Sequence, residues 1–193
     1  MIVKEFSAAR FVIMLKRLKK MLAEMYYLSE KDYEKKQDVD YVTPVRKSVG
    51  KCGKNLFVGG KTIVTPNTWL GDNVSFNGMT ISGRGKVVIG DNFHSGPECL
   101  IITQIHNYDH GKAIPYDDTY IAKNVFIKNN VWIGSRVILL GTVTVGEGAI
   151  IQAGSVVCKN IPDYGIAGGH PATVFKYRDI DHYNKLKEEG KFH

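Results

Sequence analysis

Aliphatic residues recur at Ile121, Ile127, Ile133, Leu139, Val145, Ile151 and Val157, each six positions after the last. Four positions after each stands a second member: Val125, Val131, Val137, Val143, Ala149, Ser155 and Ile161. An α-helix wants apolar spacings of three and four, and an extended strand wants two, so a strict six fits neither. A short strand followed by a corner, three times per coil, does fit. Each strand then hydrogen-bonds to the coils above and below, about 4.8 Å away, and the aliphatics stack inside a prism. The predicted class is all-β, a parallel β-helix. Gly134, Gly146 and Gly154, with Asn124, Asn130 and Glu147, fall where its corners need tolerant backbones.

A weaker set precedes this one: Val64, Leu70 and Phe76 six apart, then Ile89 and Ile101 twelve apart, with one residue of slippage before Ile89. The prism is expected to begin near Leu56. Between Ile101 and Ile121 the spacing breaks, and Gln104 to Thr119 is expected to leave the wall as a loop. In so regular a fold, an excursion is where function is carried. Outside the repeat the pattern turns helical, over 7–25 and 29–38 and again from Ile180 to Lys191. The expected organisation is an N-terminal helical segment over 1–50, the β-helix over 51–178 and a short C-terminal helical tail over 179–193. The basic run Lys16, Arg17, Lys19 and Lys20 beside 11–15 suits peripheral association with an anionic membrane face. A plainer account is a helix packed on the prism or a neighbouring subunit, its lysines solvated.

Composition narrows the classes. The apolar share of 44% and charged share of 23% are those of a globular domain, and 20 glycines against 6 prolines suit many tight corners. The net charge of +7 fits an anionic surface or a phosphorylated small ligand. No aromatic-interleaved or helix-turn-helix pattern accompanies it, so nucleic acid is not an expected partner. Cys52, Cys99 and Cys158 are too scattered for a disulfide framework, and the apolar run at 11–15 is too short to span a membrane, so a cytoplasmic location is expected.

The excursion reads Gln104-Ile105-His106-Asn107-Tyr108-Asp109-His110-Gly111, then Ile114-Pro115-Tyr116. Histidine titrates near neutrality, so it can take a proton from an attacking hydroxyl or amine and return it to a departing thiol. His106 and His110 could instead ligate a metal, but the loop's Gly and Pro disfavour the helix that spacing needs, and no metal is expected. Trp132 directly precedes an inward aliphatic and is expected to point outward, against a ligand or a second subunit.

Ile133-Gly134-Ser135, Val145-Gly146-Glu147-Gly148, the run from Ala153 to Pro162, and Gly168-Gly169-His170-Pro171-Ala172 together resemble the sugar and xenobiotic O-acetyltransferases of the hexapeptide-repeat family. The resemblance covers roughly 56–178. It implies a left-handed β-helix, against the usual right-handed crossover preference, and a homotrimer with active sites between subunits. It further implies acetyl-CoA as acyl donor and a saccharide as acceptor. Carried over by position, His106 matches the general base and Trp132 the active-site tryptophan. Ser135, Ala153 and Lys159 match positions lining the acetyl-CoA groove, with Lys176 and Arg178 near basic tail contacts. Asn77, Tyr108, Asp109 and Trp132 are the candidate acceptor contacts, and Trp132 is a candidate cofactor contact as well. The family often has Thr at 158, Asn at 170 and Arg at 173, where this chain has Cys158, His170 and Thr173. The His-Asn-Tyr-Asp run is similar to the capsule and lipopolysaccharide O-acetyltransferases.

Three other readings share the prism. The same histidine could serve N-acetylation of an amino sugar or nucleotide amino sugar. A γ-type carbonic anhydrase would carry zinc-binding histidines on its repeats, and the hexads from Ile133 to Gly141 have none. A non-catalytic β-helix module needs only the repeat.

Overall fold

The structure, a computed structural model, describes residues 39–193 and, before them, Arg17, Met21 and Leu22. The rest of the helices expected over 7–25 and 29–38 lies outside the described residues. The chain divides into two units, Met1–Asp40 and Tyr41–His193, and the second is treated by itself. It opens on helix α1 (Val42–Ser48), which buries Val45, and the first coil begins at Lys51, a little before the expected Leu56.

The hexads coil into a left-handed parallel β-helix. The first wall stacks β1 (Lys51–Cys52), β3 (Thr68–Leu70), β6 (Val87–Ile89), β11 (Val125–Ile127) and β14 (Val143–Val145). The second stacks β2 (Phe57–Val58), β4 (Ser75–Phe76), β7 (His94–Ser95), β12 (Trp132–Ile133), β15 (Ile150–Ile151), β17 (Gly165–Gly169) and β18 (Ala172–Tyr177), the last pairing antiparallel to β17. The third stacks β5 (Met79–Ser82), β8 (Cys99–Ile102), β13 (Ile138–Leu140) and β16 (Val156–Val157). From Val125 and Ile127 onward every member of both series is buried, from Ile133 and Leu139 to Ala149 and Val157.

Ile121 departs from the expected series. It is 39% exposed and sits in a hairpin, β10 (Tyr120–Ala122) against β9 (Gln104–His106), opposite Ile105. The wall resumes only at Lys123, whose N–H donates to the Thr103 carbonyl at 2.8 Å. Six-residue spacing from Ile127 back to Ile121 is therefore coincidental in structure, and the expected loop is longer and partly strand.

Corners are of two kinds. Gly134 serves close approach, since a Cβ there would lie 2.5 Å from the Ala153 amide nitrogen. At another corner Asn55, Asn73, Asn92 and Asn130 adopt φ of 54–60°, a left-handed backbone that Asn tolerates better than most residues. Their side chains form a ladder: each Nδ2 donates to the next Oδ1 at 2.8–2.9 Å. Its spacing is 18 residues between Asn55 and Asn73 but 38 between Asn92 and Asn130, because the hairpin excursion lies between them.

The ladder ends on the C-terminal helix α2 (Ile180–Glu188), whose Asp179 cap accepts from the His182 N–H. Asn130 Nδ2 donates to Tyr183 Oη at 2.7 Å, and that hydroxyl donates to Glu147 Oε1 at 3.1 Å. Burial first, then the neighbouring carboxylate, pushes the Tyr183 phenol up to about 12. The next ladder position is Gly148, at φ +65°, and a Cβ there would lie 2.9 Å from Tyr183 Cε2. Gly148→Ala is expected to cost about 1–2 kcal/mol from the left-handed backbone alone, and to loosen α2 as well; thermal unfolding with tyrosine fluorescence reads both. No helix among the described residues is long and apolar enough to cross a membrane.

Candidate active site

Alternation along the β9/β10 hairpin places Gln104, His106, Tyr120 and Ala122 on one face, because His106 lies opposite Tyr120 and Gln104 opposite Ala122. The His106 ring stacks on Tyr116 at 3.6 Å between centroids and leans on Tyr120 at 4.4 Å. Its Nδ1 is sealed from solvent without a hydrogen-bond partner, as is Gln104 Oε1. His106 makes no side-chain hydrogen bond, which leaves Nε2 as the nitrogen open to a reactant.

The outer loop is held by Asp117, which accepts from the Lys112 and Thr119 amides at 2.8 and 2.9 Å and from the Thr119 hydroxyl at 2.5 Å. The hydroxyl contact first, then the amides, keeps its carboxyl below the ordinary carboxylate range. Gly111 is required by space, since a Cβ there would lie 2.5 Å from the Asn107 carbonyl oxygen. At the tip Tyr108, Asp109 and His110 are exposed, and Ile114 is 100% exposed.

A second group lies on the outer face of the second wall. Trp132 points outward, 54% exposed, in register with His94 and Ile150. With Asn77, His94, Arg178 and the chain's last residues it lines a cleft of about 540 Å³. Asn77 Nδ2 donates to the Ser95 carbonyl at 2.8 Å, and the His94 and His193 rings stack at 5.4 Å. Arg178 is occupied: its Nε donates to the Gly148 carbonyl at 2.6 Å, and its guanidinium lies 5.7 Å from the Tyr183 ring centre.

Ser135 and Ala153 stack at the corner between the second and third walls, where the Gly154 N–H donates to the Ser135 carbonyl. Gly96 keeps that corner narrow, since a Cβ there would lie 2.7 Å from Ser135 Oγ. Lys159 is exposed at the far corner of the third wall, beyond an outer face of Leu100, Ile138 and Val156 in register. Lys176 is exposed on β18 opposite Ile166. Cys99 is buried, its thiol donating to the Gly134 carbonyl at 3.2 Å, and burial pushes the thiol up, away from a nucleophile's range. Among the described residues no three His, Cys, Asp or Glu side chains gather as a metal site would require.

The residues thus fall into separate groups within one chain. His106, Tyr108 and Asp109 sit on the hairpin, whereas Asn77, Trp132 and Arg178 line a cleft that His106 does not. His94, Gln104 and Tyr120 were missed in the sequence. His94 becomes visible only through its pairing with Trp132, across the excursion, and Tyr120 only once β10 is paired with β9.

The family described as "Bacterial transferase hexapeptide (six repeats)" matches residues 124–159. A Saccharomyces cerevisiae protein, YJL218W, itself provisionally assigned as an acetyltransferase, is 34% identical over 164 residues, covering 83% of this chain and 80% of that one. The galactoside O-acetyltransferase of Escherichia coli is 29% identical over 176 residues, covering 88% and 83%. A solved galactoside acetyltransferase in complex with coenzyme A superposes with a TM-score of 0.59 at 29% identity, covering 72% of this chain and 71% of that one.

Proposed function

Because the chain belongs to the hexapeptide-repeat acetyltransferases, we propose that it moves an acetyl group from acetyl-CoA to a hydroxyl of a sugar, or of a polysaccharide or lipopolysaccharide precursor, with His106 as general base. The observation that carries the reading is His106 itself. It is a histidine with one ring nitrogen sealed and the other free, on the hairpin that interrupts the coil. The donor is supported by a relative's complex with coenzyme A, and the saccharide acceptor by relatives that are galactoside O-acetyltransferases.

In the proposed reaction the acceptor oxygen attacks the thioester carbonyl while His106 Nε2 takes its proton. The tetrahedral intermediate collapses, the C–S bond breaks, and the proton passes to the CoA sulfur. Holding donor and acceptor together supplies up to about 7–11 kcal/mol of the barrier. The outer face of the third wall suits the pantetheine arm, with Ser135 and Ala153 along one edge and Lys159 beyond the other to meet phosphate as a point charge. Asn77, Trp132, Tyr108 and Asp109 are assigned to the acceptor, and Lys176 and the already-bonded Arg178 to the cofactor's far end.

The separation of His106 from the Trp132 cleft supports a site completed by a second copy, in a homotrimer whose hairpin tips, with exposed Ile114 and Tyr108, reach the neighbour. The free thiols of Cys52, Cys99 and Cys158 agree with a cytoplasmic location. The test is CoA thiol release across saccharides, amino sugars and nucleotide-linked sugars, alongside light scattering for the assembly. Release with hydroxyl-bearing saccharides that lack an amine is the expected result; release with amino sugars alone makes the enzyme an N-acetyltransferase. No release with any of them, and no acetyl-CoA binding by calorimetry, makes the chain a non-catalytic module.

A further inference from the structure

Two buried side-chain atoms among the described residues lack a hydrogen-bond partner, and they are complementary: Gln104 Oε1 accepts, and His106 Nδ1 donates when it carries the ring proton. They are two residues apart on β9, so their side chains leave the same face, about 7 Å apart at the backbone. Orphaned buried polar atoms are unfavourable and rare. Both being sealed, neither is placed to be satisfied by a reactant or a second copy of the chain, so the partner each lacks must come from within the hairpin. Ala122 lies opposite Gln104 and presents only a methyl to it. Tyr116 and Tyr120 hold the His106 ring.

We infer that Gln104 is the positioning residue for His106: its side-chain carbonyl swings to accept Nδ1–H. That contact fixes the ring proton on Nδ1 and leaves Nε2 with the free electron pair a base requires. The inference rests on the reading of His106 as base and adds what selects its tautomer. Without an acceptor at Nδ1, nothing favours that tautomer over the one with Nε2 protonated, which cannot take a proton there.

Four variants test it. Gln104→Leu keeps the volume but cannot accept a hydrogen bond, so it leaves Nδ1–H buried and unpaired, and its melting temperature is expected to fall modestly. Its kcat is expected to fall at least about tenfold while KM for acetyl-CoA stays put, the split that lost orientation of a base produces. Gln104→Glu, an acceptor on both oxygens, is expected to recover most of the loss, and Gln104→Asn, too short to reach, is not. In wild-type protein, ¹⁵N-correlated spectra, with His106→Ala identifying the signals, are expected to show Nδ1 protonated and Nε2 bare. Wild-type turnover in Gln104→Leu while His106→Ala is inactive overturns the role of Gln104 alone. Full turnover in His106→Ala overturns the base, and the role of Gln104 with it. Should Gln104→Leu not fold, the wild-type spectrum still decides, and a ring protonated on Nε2 refutes the inference.

Discussion

His106→Ala is expected to lower kcat by about 10²–10⁴-fold, the range by which a positioned general base speeds proton transfer. KM for acetyl-CoA should hardly move, because the thioester arm is assigned to the third wall and its corners rather than to the hairpin. The loss therefore belongs to kcat, and single-turnover kinetics would place it in the chemical step. Stability is a weak confounder: the side chain is only half-buried, on an excursion whose backbone is held by the β9/β10 pairing and by Asp117. His94→Ala is the paired control. It also removes an imidazole beside Trp132, so an equal loss there with none at His106 would move the base onto the cleft and refute the hairpin assignment.

Spacing carried the interior and the outward turn of Trp132 into view, because both follow from which residues a six-residue coil turns inward. Corners were legible only in part. Gly134 and Gly146 look in sequence like turn residues, yet neither has a positive φ; each is glycine because the next coil passes too close for a Cβ, 2.5 Å at Gly134 and 2.3 Å at Gly146. Left-handed corners fall instead to Asn130 and its ladder mates, to Glu98, Arg136 and Thr142, and, of the three glycines expected at corners, to Gly154 at φ +72°. That ladder was hidden because its rungs lie 18, 19 and 38 residues apart, and the excursion disguises the last interval.

The hairpin was hidden for a different reason. Ile105 and Ile121 pair with each other outside the prism, but an aliphatic six positions before Ile127 reads as one more rung. Periodicity reports which residues want burial and not which neighbour buries them. The same blindness hid the surroundings of His106. Tyr116 and Tyr120 lie ten and more positions downstream, and Gln104 acquires meaning only once Nδ1 is seen to be sealed.

Leu139→Ala tests the interior directly. Leu139 is wholly buried in β13, between Ile101 of the coil before and Val157 of the coil after. Truncating it opens a cavity that backbones fixed by wall hydrogen bonds can only partly close, at an expected cost of about 2–5 kcal/mol. Coils contact only their neighbours, so the damage should centre on that part of the stack. Leu140→Ala, one residue along the same strand, is the internal control. That side chain points outward and is only half-buried, so about 1 kcal/mol or less is expected. Denaturant unfolding at one fixed protein concentration compares the two without interference from assembly. Equal losses would mean that the third wall is packed on both faces, which the alternation of burial along β13 rules against. A large loss at Leu139 alone would show that stability resides in the stacked aliphatics, leaving the hairpin that carries His106 free to be tuned for chemistry.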